Sequence, residues 1–362
     1  MIQPAEKVFA MRPPNALKVM DPKSRACLLN SRDILKVLKD REVIIMACNI
    51  RIRHAIPGIM KAAEELDAVV AFELARSEGD LKGGYTGQTP EIFARTVLEY
   101  ADQTGFSRPF FIHGDHITVK KTTPEAVEDT KKLIEAELAA GYTSFAIDAS
   151  FNELHENTRV TTELAQPIIK LGIGLEVEVG EIKSAGQEAV VTSVEEARDF
   201  ILGLKDNGVH PDMLAINNGS KHGNYLEGEP IHIDLERTGE IYQTIKPYGV
   251  VIAQHGITGT PLHLVGRFAD YGIRKGNVGT QWQNVAHAHL PEDLFSRMKA
   301  WAKAEGKDVK MATKVFKAEI DGIPEAYKKQ ILDDACETAK SFFKAFRAEG
   351  TGSLVIEELT KN

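Results

Sequence analysis

Short apolar segments alternate with amphipathic helical segments along most of the chain. A strand that is buried on both faces is continuously apolar, and parallel neighbours need a crossover connection that is usually a helix. The pattern predicts an α/β fold in which eight parallel strands close into a (β/α)8 TIM barrel. A doubly wound open sheet is the alternative, but it favours GxGxxG after the first strand, which this chain lacks. The predicted strands are 43–48, 68–74, 109–113, 144–147, 174–179, 213–217, 249–254 and 275–279.

The segments between these strands carry helix start signals. Thr89 and Thr123 each precede a proline, which combines an N-cap with a proline at the first helical position. Ser193 precedes two glutamates and is a third candidate N-cap. The predicted helices are 56–66, 90–103, 125–140, 163–171, 194–207, 235–245 and, near the end of the chain, 325–346.

The length fits one large domain. A chain of 362 residues with 43% hydrophobic residues can bury a sizeable core. We predict a single domain over 1–362, with the barrel over about 31–290 and a helical tail over about 291–362. Residues 1–30 are expected to form an extension that lies on the surface or against a partner subunit. The apolar face of helix 325–346 must pack on the core or on another subunit.

Charge and cysteine content exclude several classes of protein. A net charge of −8 argues against a nucleic-acid partner. The sequence shows no apolar run long enough for a membrane span and no signal-peptide core at its start, so we expect a cytoplasmic protein. Cys27, Cys48 and Cys336 are isolated, which predicts buried structural thiols in a reducing compartment.

Three histidines follow predicted strands and point to a metal site. His116 lies beside Asp115, while His222 and His255 each precede a glycine. Because the strands of a barrel end at one face, the three imidazoles are expected to meet there. Three protein ligands and an open position are typical of catalytic zinc.

Six ordered motifs carry a family resemblance. The sequence resembles the class II, metal-dependent fructose-bisphosphate aldolases and their tagatose-bisphosphate relatives over residues 109–281, and more weakly at 46–49. The motifs are PFFIHGDH, SFAIDAS, GLEVEVGEI, DMLAINNGSKHG, VVIAQHGITG and KGNVGTQ.

The resemblance implies roles for the histidines and for several acids. His116, His222 and His255 would hold Zn²⁺, a Lewis acid that stabilises the enediolate of a dihydroxyacetone phosphate unit. Asp115 would exchange a proton with the aldehyde-derived hydroxyl, and the alternative is a carboxylate that orients an imidazole.

Glu176 and Glu178 share one face of their strand. The resemblance places Asp148 and Glu178 near the metal, where they could hold an auxiliary cation, although a structural hydrogen-bond network is equally compatible. Glu188 aligns best with the mobile-loop base that deprotonates the dihydroxyacetone carbon.

The substrate phosphate has glycine and threonine candidates. Glycines at strand ends expose backbone N–H groups, and threonine hydroxyls add donors. The resemblance assigns Asn49 and Asn277 to the substrate as well. Arg51 and Arg53, together with Arg76, are candidates for a second anion at the far end of the substrate, and the alternative is surface ion pairing. The phosphate candidates are Gly223, Gly256, Thr258 and Thr280.

Three departures from the family pattern leave the substrate open. Gly279 stands where fructose-bisphosphate enzymes have an aspartate and tagatose-type relatives have a small residue. Ile257 replaces a second glycine and is expected to crowd the phosphate loop, and the tail shows no arginine for a distal phosphate. We predict cleavage of fructose 1,6-bisphosphate by a homodimer or homotetramer. The alternatives are another ketose phosphate, a metal-dependent hydrolase, or an inactive homologue.

Overall fold

Eight parallel strands in the described part of the chain close into a barrel in sequence order, which confirms the predicted fold. A computed structural model of the protein describes residues 4–180, 191–221, 223 and 231–361. The eighth strand pairs with the first, in register from Ile45 with Lys275 to Cys48 with Val278. The strands are β1 (Ile45–Asn49), β2 (Val70–Ala75), β3 (Phe110–Thr118), β4 (Ser144–Asp148), β5 (Gly174–Val179), β6 (Met213–Ile216), β7 (Val251–Gln254) and β8 (Ile273–Val278).

Helices follow the strands and form the outer layer. Thr89, Thr123 and Ser193 each cap a helix through the side-chain oxygen, as their positions predict. The helix predicted at 163–171 is longer, because its polar first half also belongs to it. The helices are α1 (Pro4–Phe9), α2 (Pro14–Leu17), α3 (Ser31–Leu38), α4 (Ile56–Glu65), α5 (Pro90–Thr104), α6 (Pro124–Ala139), α7 (Leu154–Lys170), α8 (Val194–Asp206), α9 (Leu235–Ile245), α10 (Leu262–Val265), α11 (Thr280–Ala288), α12 (Glu292–Ala304), α13 (Ala312–Val315), α14 (Lys317–Asp321), α15 (Glu325–Ala345) and α16 (Thr351–Thr360), and short 3-10 turns lie at Arg53–Ala55, Lys246–Tyr248, Phe268–Tyr271 and Val309–Met311.

The last residues of the N-terminal extension pack against the barrel, whereas the sequence predicts that the extension lies on the surface or against a partner subunit. The backbone N–H of Leu29 donates to the carbonyl of Phe110, and Asn30 Oδ1 accepts from Gly174 N at 3.0 Å. This segment crosses the amino ends of β3 and β5 and is buried with them. The sequence does not predict this burial, because the apolar run is short and follows a proline-rich stretch. The run also shows neither helical nor alternating periodicity.

The tail packs on the barrel through α15, one of the two arrangements that its apolar face allows. Ala335, Ala339 and Phe343 are buried, and α15 lies against α4. A Cβ on Gly58 of α4 would stand 2.2 Å from the carbonyl oxygen of Leu332, so only glycine permits this close approach. The tail is therefore part of the folded core.

The remaining broad expectations concern thiols and membranes. Cys27, Cys48 and Cys336 are free and buried, as predicted. Across residues 4–180, 191–221, 223 and 231–361, no helix is long and apolar enough to cross a membrane.

Candidate active site

The carboxyl ends of the strands open into a cavity of about 1110 Å³. A second depression, lined by Arg32, Lys170 and His210, lies near the opposite end of the barrel and contains no predicted site residue. His222 and Glu188 lie outside the described residues. The predicted site residues that line the larger cavity are Asn49, Arg51, Asp115, His116, Asp148, Glu178, Gly223, His255, Gly256, Thr258, Asn277 and Thr280.

An irregularity in β3 places two consecutive side chains in this cavity. Neighbouring residues of a regular strand point to opposite faces. The pairing of β3 with β4 shifts between Gly114 and Ile117, and His116 has a φ of 39°, in the left-handed region. Such a backbone costs about 1–3 kcal/mol in a non-glycine residue. The shift allows Asp115 and His116 to face the cavity together.

Two imidazoles from different strands meet in the cavity. Nε2 of His116 lies 2.6 Å from Nδ1 of His255, and the Asp115 carboxylate is close enough to join them in a metal-binding group. His255 is buried, whereas the His116 side chain is 17% exposed. Two ring nitrogens directed at one point suit a shared metal ion or a shared proton.

Carboxylates hold the other nitrogens of both rings. Nδ1 of His116 lies 2.7 Å from Glu178 and 3.4 Å from Asp148, and Nε2 of His255 lies 2.7 Å from Glu176. Histidines that bind metals commonly have such a carboxylate on the second nitrogen, because it fixes the ring and its tautomer. Burial and the nearby Asp148 raise the pKa of Glu178 to about 8. A cation at this place would favour the ionised carboxylate, so the buried His and acid groups fit a metal ion.

Asp115 is held by two amides, one on each carboxylate oxygen. Asn49 Nδ2 donates to Oδ2 at 2.8 Å, and Asn277 Nδ2 donates to Oδ1 at 2.9 Å. Burial alone would raise the pKa of Asp115, but positive charge on His116, His255 and Lys275 and the amide of Asn49 outweigh it and lower the pKa. Asp115 is therefore a carboxylate that is held in one orientation by Asn49 and Asn277.

A layer of buried charge lies beneath the histidines, and two of its members, Lys275 and Glu73, are not predicted by the sequence. Nζ of Lys275 lies 2.9 Å from Glu176 and 3.3 Å from Glu73, and it donates to Asn277 Oδ1 at 2.7 Å. His113 bonds Ser144 through Nδ1 and faces Glu176 at 3.5 Å, so it belongs to this buried layer. Lys275 thus supports both the amide on Asp115 and the carboxylate on His255. The sequence contains one signal for this layer, namely a lysine in an apolar predicted strand, two residues before an asparagine.

Glycines and threonines at the ends of β7 and β8 form one side of the cavity. Gly256 has a φ of 67°, and a Cβ there would stand 2.4 Å from the carbonyl oxygen of Lys221. Thr258 accepts from the backbone N–H of Gln281 at 3.2 Å. Thr280 is the first residue of α11, whose N-terminal N–H groups favour anions. These groups suit a phosphate.

Ile257 does not crowd this loop in the way expected. Its Cδ1 lies 2.7 Å from the position of a Cβ on Gly276, beside the Phe346 ring. Gly276 faces outward, since Lys275 and Asn277 point into the barrel. The isoleucine side chain is therefore accommodated between β8 and the tail, where Gly276 leaves it room.

The three arginines occupy different places. Arg51 lies beside Thr280 at 3.4 Å, because β1 and β8 are neighbours, and this places it next to the predicted phosphate loop. Arg53 is absent from the described lining of the cavity; its guanidinium lies 5.2 Å from the centre of the Tyr100 ring, on α5. Arg76 lines the cavity but donates to Thr118 O and Thr130 Oγ1, both at 2.7 Å.

A family comparison agrees with this site. The class-II fructose-bisphosphate aldolase profile matches residues 29–350. A fructose-bisphosphate aldolase from Thermus caldophilus is 28% identical over 275 residues, 74% of this chain and 78% of the relative. One from Giardia intestinalis is 25% identical over 268 residues, 72% of this chain and 75% of the relative.

The fold is also similar to that of solved aldolase structures. The YdjI aldolase from Escherichia coli K12 superposes with a TM-score of 0.62 at 19% identity, over 89% of this chain and 97% of that one. That similarity supports the fold alone, whereas the match over residues 29–350 decides the family. The chain belongs to the class II fructose-bisphosphate aldolases, a family of carbon–carbon lyases, as a divergent member.

Proposed function

We propose that the protein is a zinc-dependent aldolase that reversibly cleaves fructose 1,6-bisphosphate to dihydroxyacetone phosphate and an aldehyde. One observation carries the proposal: the carboxylate of Asp115, the facing nitrogens of His116 and His255, and the glycine and threonine loops after β7 and β8 share one cavity. Retro-aldol cleavage needs these three elements together, namely a proton acceptor, an electrophile and a phosphate anchor.

The metal would be held by His116 and His255, with His222 as the third ligand proposed from the resemblance. Zinc, when bound, supplies a Lewis acid that stabilises negative charge on the ketose oxygen atoms. Asp148 and Glu178 fix His116 and are the proposed ligands of an auxiliary cation. Glu176 fixes His255 from below.

Asp115 would act on the hydroxyl group that becomes the aldehyde. In the cleavage direction its carboxylate accepts the hydroxyl proton while the adjacent carbon–carbon bond breaks and the electron pair remains on the dihydroxyacetone phosphate carbon. Asn49 and Asn277 keep both carboxylate oxygens oriented. We propose that Glu188 protonates that carbon. Gly223, Gly256, Thr258 and Thr280 would hold the phosphate.

A related ketose phosphate of the tagatose type is the second candidate substrate. Gly279 favours it, because an acid at that position is characteristic of the fructose-bisphosphate enzymes. The test is release of dihydroxyacetone phosphate from fructose 1,6-bisphosphate, tagatose 1,6-bisphosphate and fructose 1-phosphate by zinc-loaded protein. Faster cleavage of the tagatose compound would favour the second substrate, and hydrolysis without any cleavage would contradict the proposal.

We further propose a cytoplasmic homodimer or homotetramer. The buried free thiols Cys27, Cys48 and Cys336 suit a reducing compartment. The oligomer rests on the family resemblance and is tested by light scattering on the purified protein. A monomer at micromolar concentration would contradict it.

A further inference from the structure

Arg51 reaches across the closing seam of the barrel. It follows β1, yet its Nη1 lies 2.9 Å from Gln283 and 3.4 Å from Thr280, both in α11 after β8. Its side chain is only 10% exposed. A buried guanidinium therefore stands beside the loop that begins α11.

Neighbouring groups fix the orientation of this guanidinium. Nε donates to Glu78 Oε1 at 2.8 Å, and Glu78 Oε2 in turn accepts from Ala75 N at 3.0 Å and from Asn49 at 3.2 Å. Tyr85 also donates to Glu78. Arginine loses little further freedom on binding an anion when its planar fork is already held in this way.

The second terminal nitrogen of Arg51 lies next to Gly279 in the lining of the cavity. Within the described residues, Nη2 of Arg51 makes no hydrogen bond and stands 3.2 Å from the position of a Cβ on Gly279. Gly279 is the N-cap of the nine-residue α11 and provides no side-chain cap. The N–H groups of Gln281 and Trp282 are already bonded, to Thr258 Oγ1 and to the carbonyl of Gly279. The guanidinium donor of Arg51 therefore lies beside the first residue of α11, where the helix dipole also favours an anion with several acceptor oxygens.

We infer that Arg51 binds the phosphate of the dihydroxyacetone half of the substrate, together with the N-terminus of α11. The inference rests on the proposed function and reverses the role expected from the sequence, in which Arg51 would bind the aldehyde end. Gly279 leaves the room that Nη2 needs. A carboxylate at position 279 would pair with Arg51 and oppose the phosphate.

The test is direct binding of dihydroxyacetone phosphate, and of inorganic phosphate alone, to the zinc-loaded protein by titration calorimetry. Arg51→Lys keeps the charge but loses the fork, and we expect it to raise both dissociation constants by about tenfold, the value of a charge-assisted hydrogen bond. Gly279→Ala should raise them about threefold by displacing Nη2. In the double variant the two effects should combine to less than their product, since both act on one donor.

Controls separate the possible outcomes. Arg53→Lys, outside the cavity, should leave both constants unchanged, and zinc content is measured in every variant. The Michaelis constant for the aldehyde at saturating dihydroxyacetone phosphate should stay within about twofold. The inference is overturned if the Michaelis constant for the aldehyde rises while phosphate binding is intact. It is also overturned if neither variant changes the dissociation constants. Absence of cleavage by the wild type would instead defeat the proposed function, while phosphate binding would still test Arg51.

Discussion

Oε1 of Glu176 lies 2.7 Å from Nε2 of His255, the histidine whose other ring nitrogen faces His116. Glu176 also forms a buried ion pair with Lys275 at 2.9 Å and faces His113 at 3.5 Å. The arrangement fixes the ring so that Nδ1 is directed into the cavity.

Glu176→Gln should weaken zinc binding by about 10–100-fold, because the ring loses a charged partner that fixes it and raises its basicity. Competition with a chromophoric chelator measures the constant. Asp334→Asn is a matched control. Asp334 also pairs with a histidine, His289, at 2.8 Å, but this pair lies outside the cavity. Equal zinc affinity in both variants would contradict the role of Glu176.

Asp115→Asn should lower kcat for cleavage by about 10²–10⁴-fold, because the amide cannot accept the hydroxyl proton. Zinc content and binding of dihydroxyacetone phosphate should change little, which separates proton transfer from site assembly. Asp129→Asn, at the exposed rim of the same cavity, is the control. An Asp115→Asn variant with near-normal kcat would remove Asp115 from the chemistry.

Zinc affinity should rise with pH. In the metal-free protein burial raises the pKa of Glu178 to about 8, and that carboxyl lies 2.7 Å from His116. Below that pH the carboxyl keeps a proton that must leave when a cation binds. We expect the affinity to rise by about tenfold per pH unit for each proton released, and Glu178 contributes one such proton below pH 8. Chelator competition from pH 6 to 9 measures this dependence, and Glu178→Gln should flatten it. Equal pH dependence in both proteins would contradict the assignment.

Gly58→Ala should destabilise the fold by about 1–3 kcal/mol, because its Cβ would meet the Leu332 carbonyl at 2.2 Å. Urea unfolding measures the free energy of unfolding. Gly203→Ala in α8 is the control, since its nearest neighbour is a threonine methyl group at 3.1 Å, and we expect a change within about 1 kcal/mol. Similar losses in the two variants would show that docking of α15 on α4 does not depend on close approach.

The sequence predicts the barrel and the residues that meet at its strand ends, because both depend on local apolar runs and on the residues that directly follow them. His116 and His255 meet as predicted. The shift in β3 could not be predicted, since no glycine marks the left-handed backbone of His116.

Contacts that depend on closure of the barrel could not be predicted from the sequence. Arg51 lies beside Thr280 only because β1 pairs with β8, and chain order places these residues far apart. Lys275 connects Asn277 to Glu176 across the barrel interior in the same way. Pairing between distant strands decides such contacts, and local patterns do not encode it.

Carbon–carbon cleavage should require a metal held by His116 and His255. The most direct measurement is the rate of dihydroxyacetone phosphate release from fructose 1,6-bisphosphate as zinc is added to chelator-treated protein. We predict no release without metal, recovery that saturates near one zinc per chain, and no recovery in His255→Ala. Undiminished cleavage by metal-free protein would contradict the account.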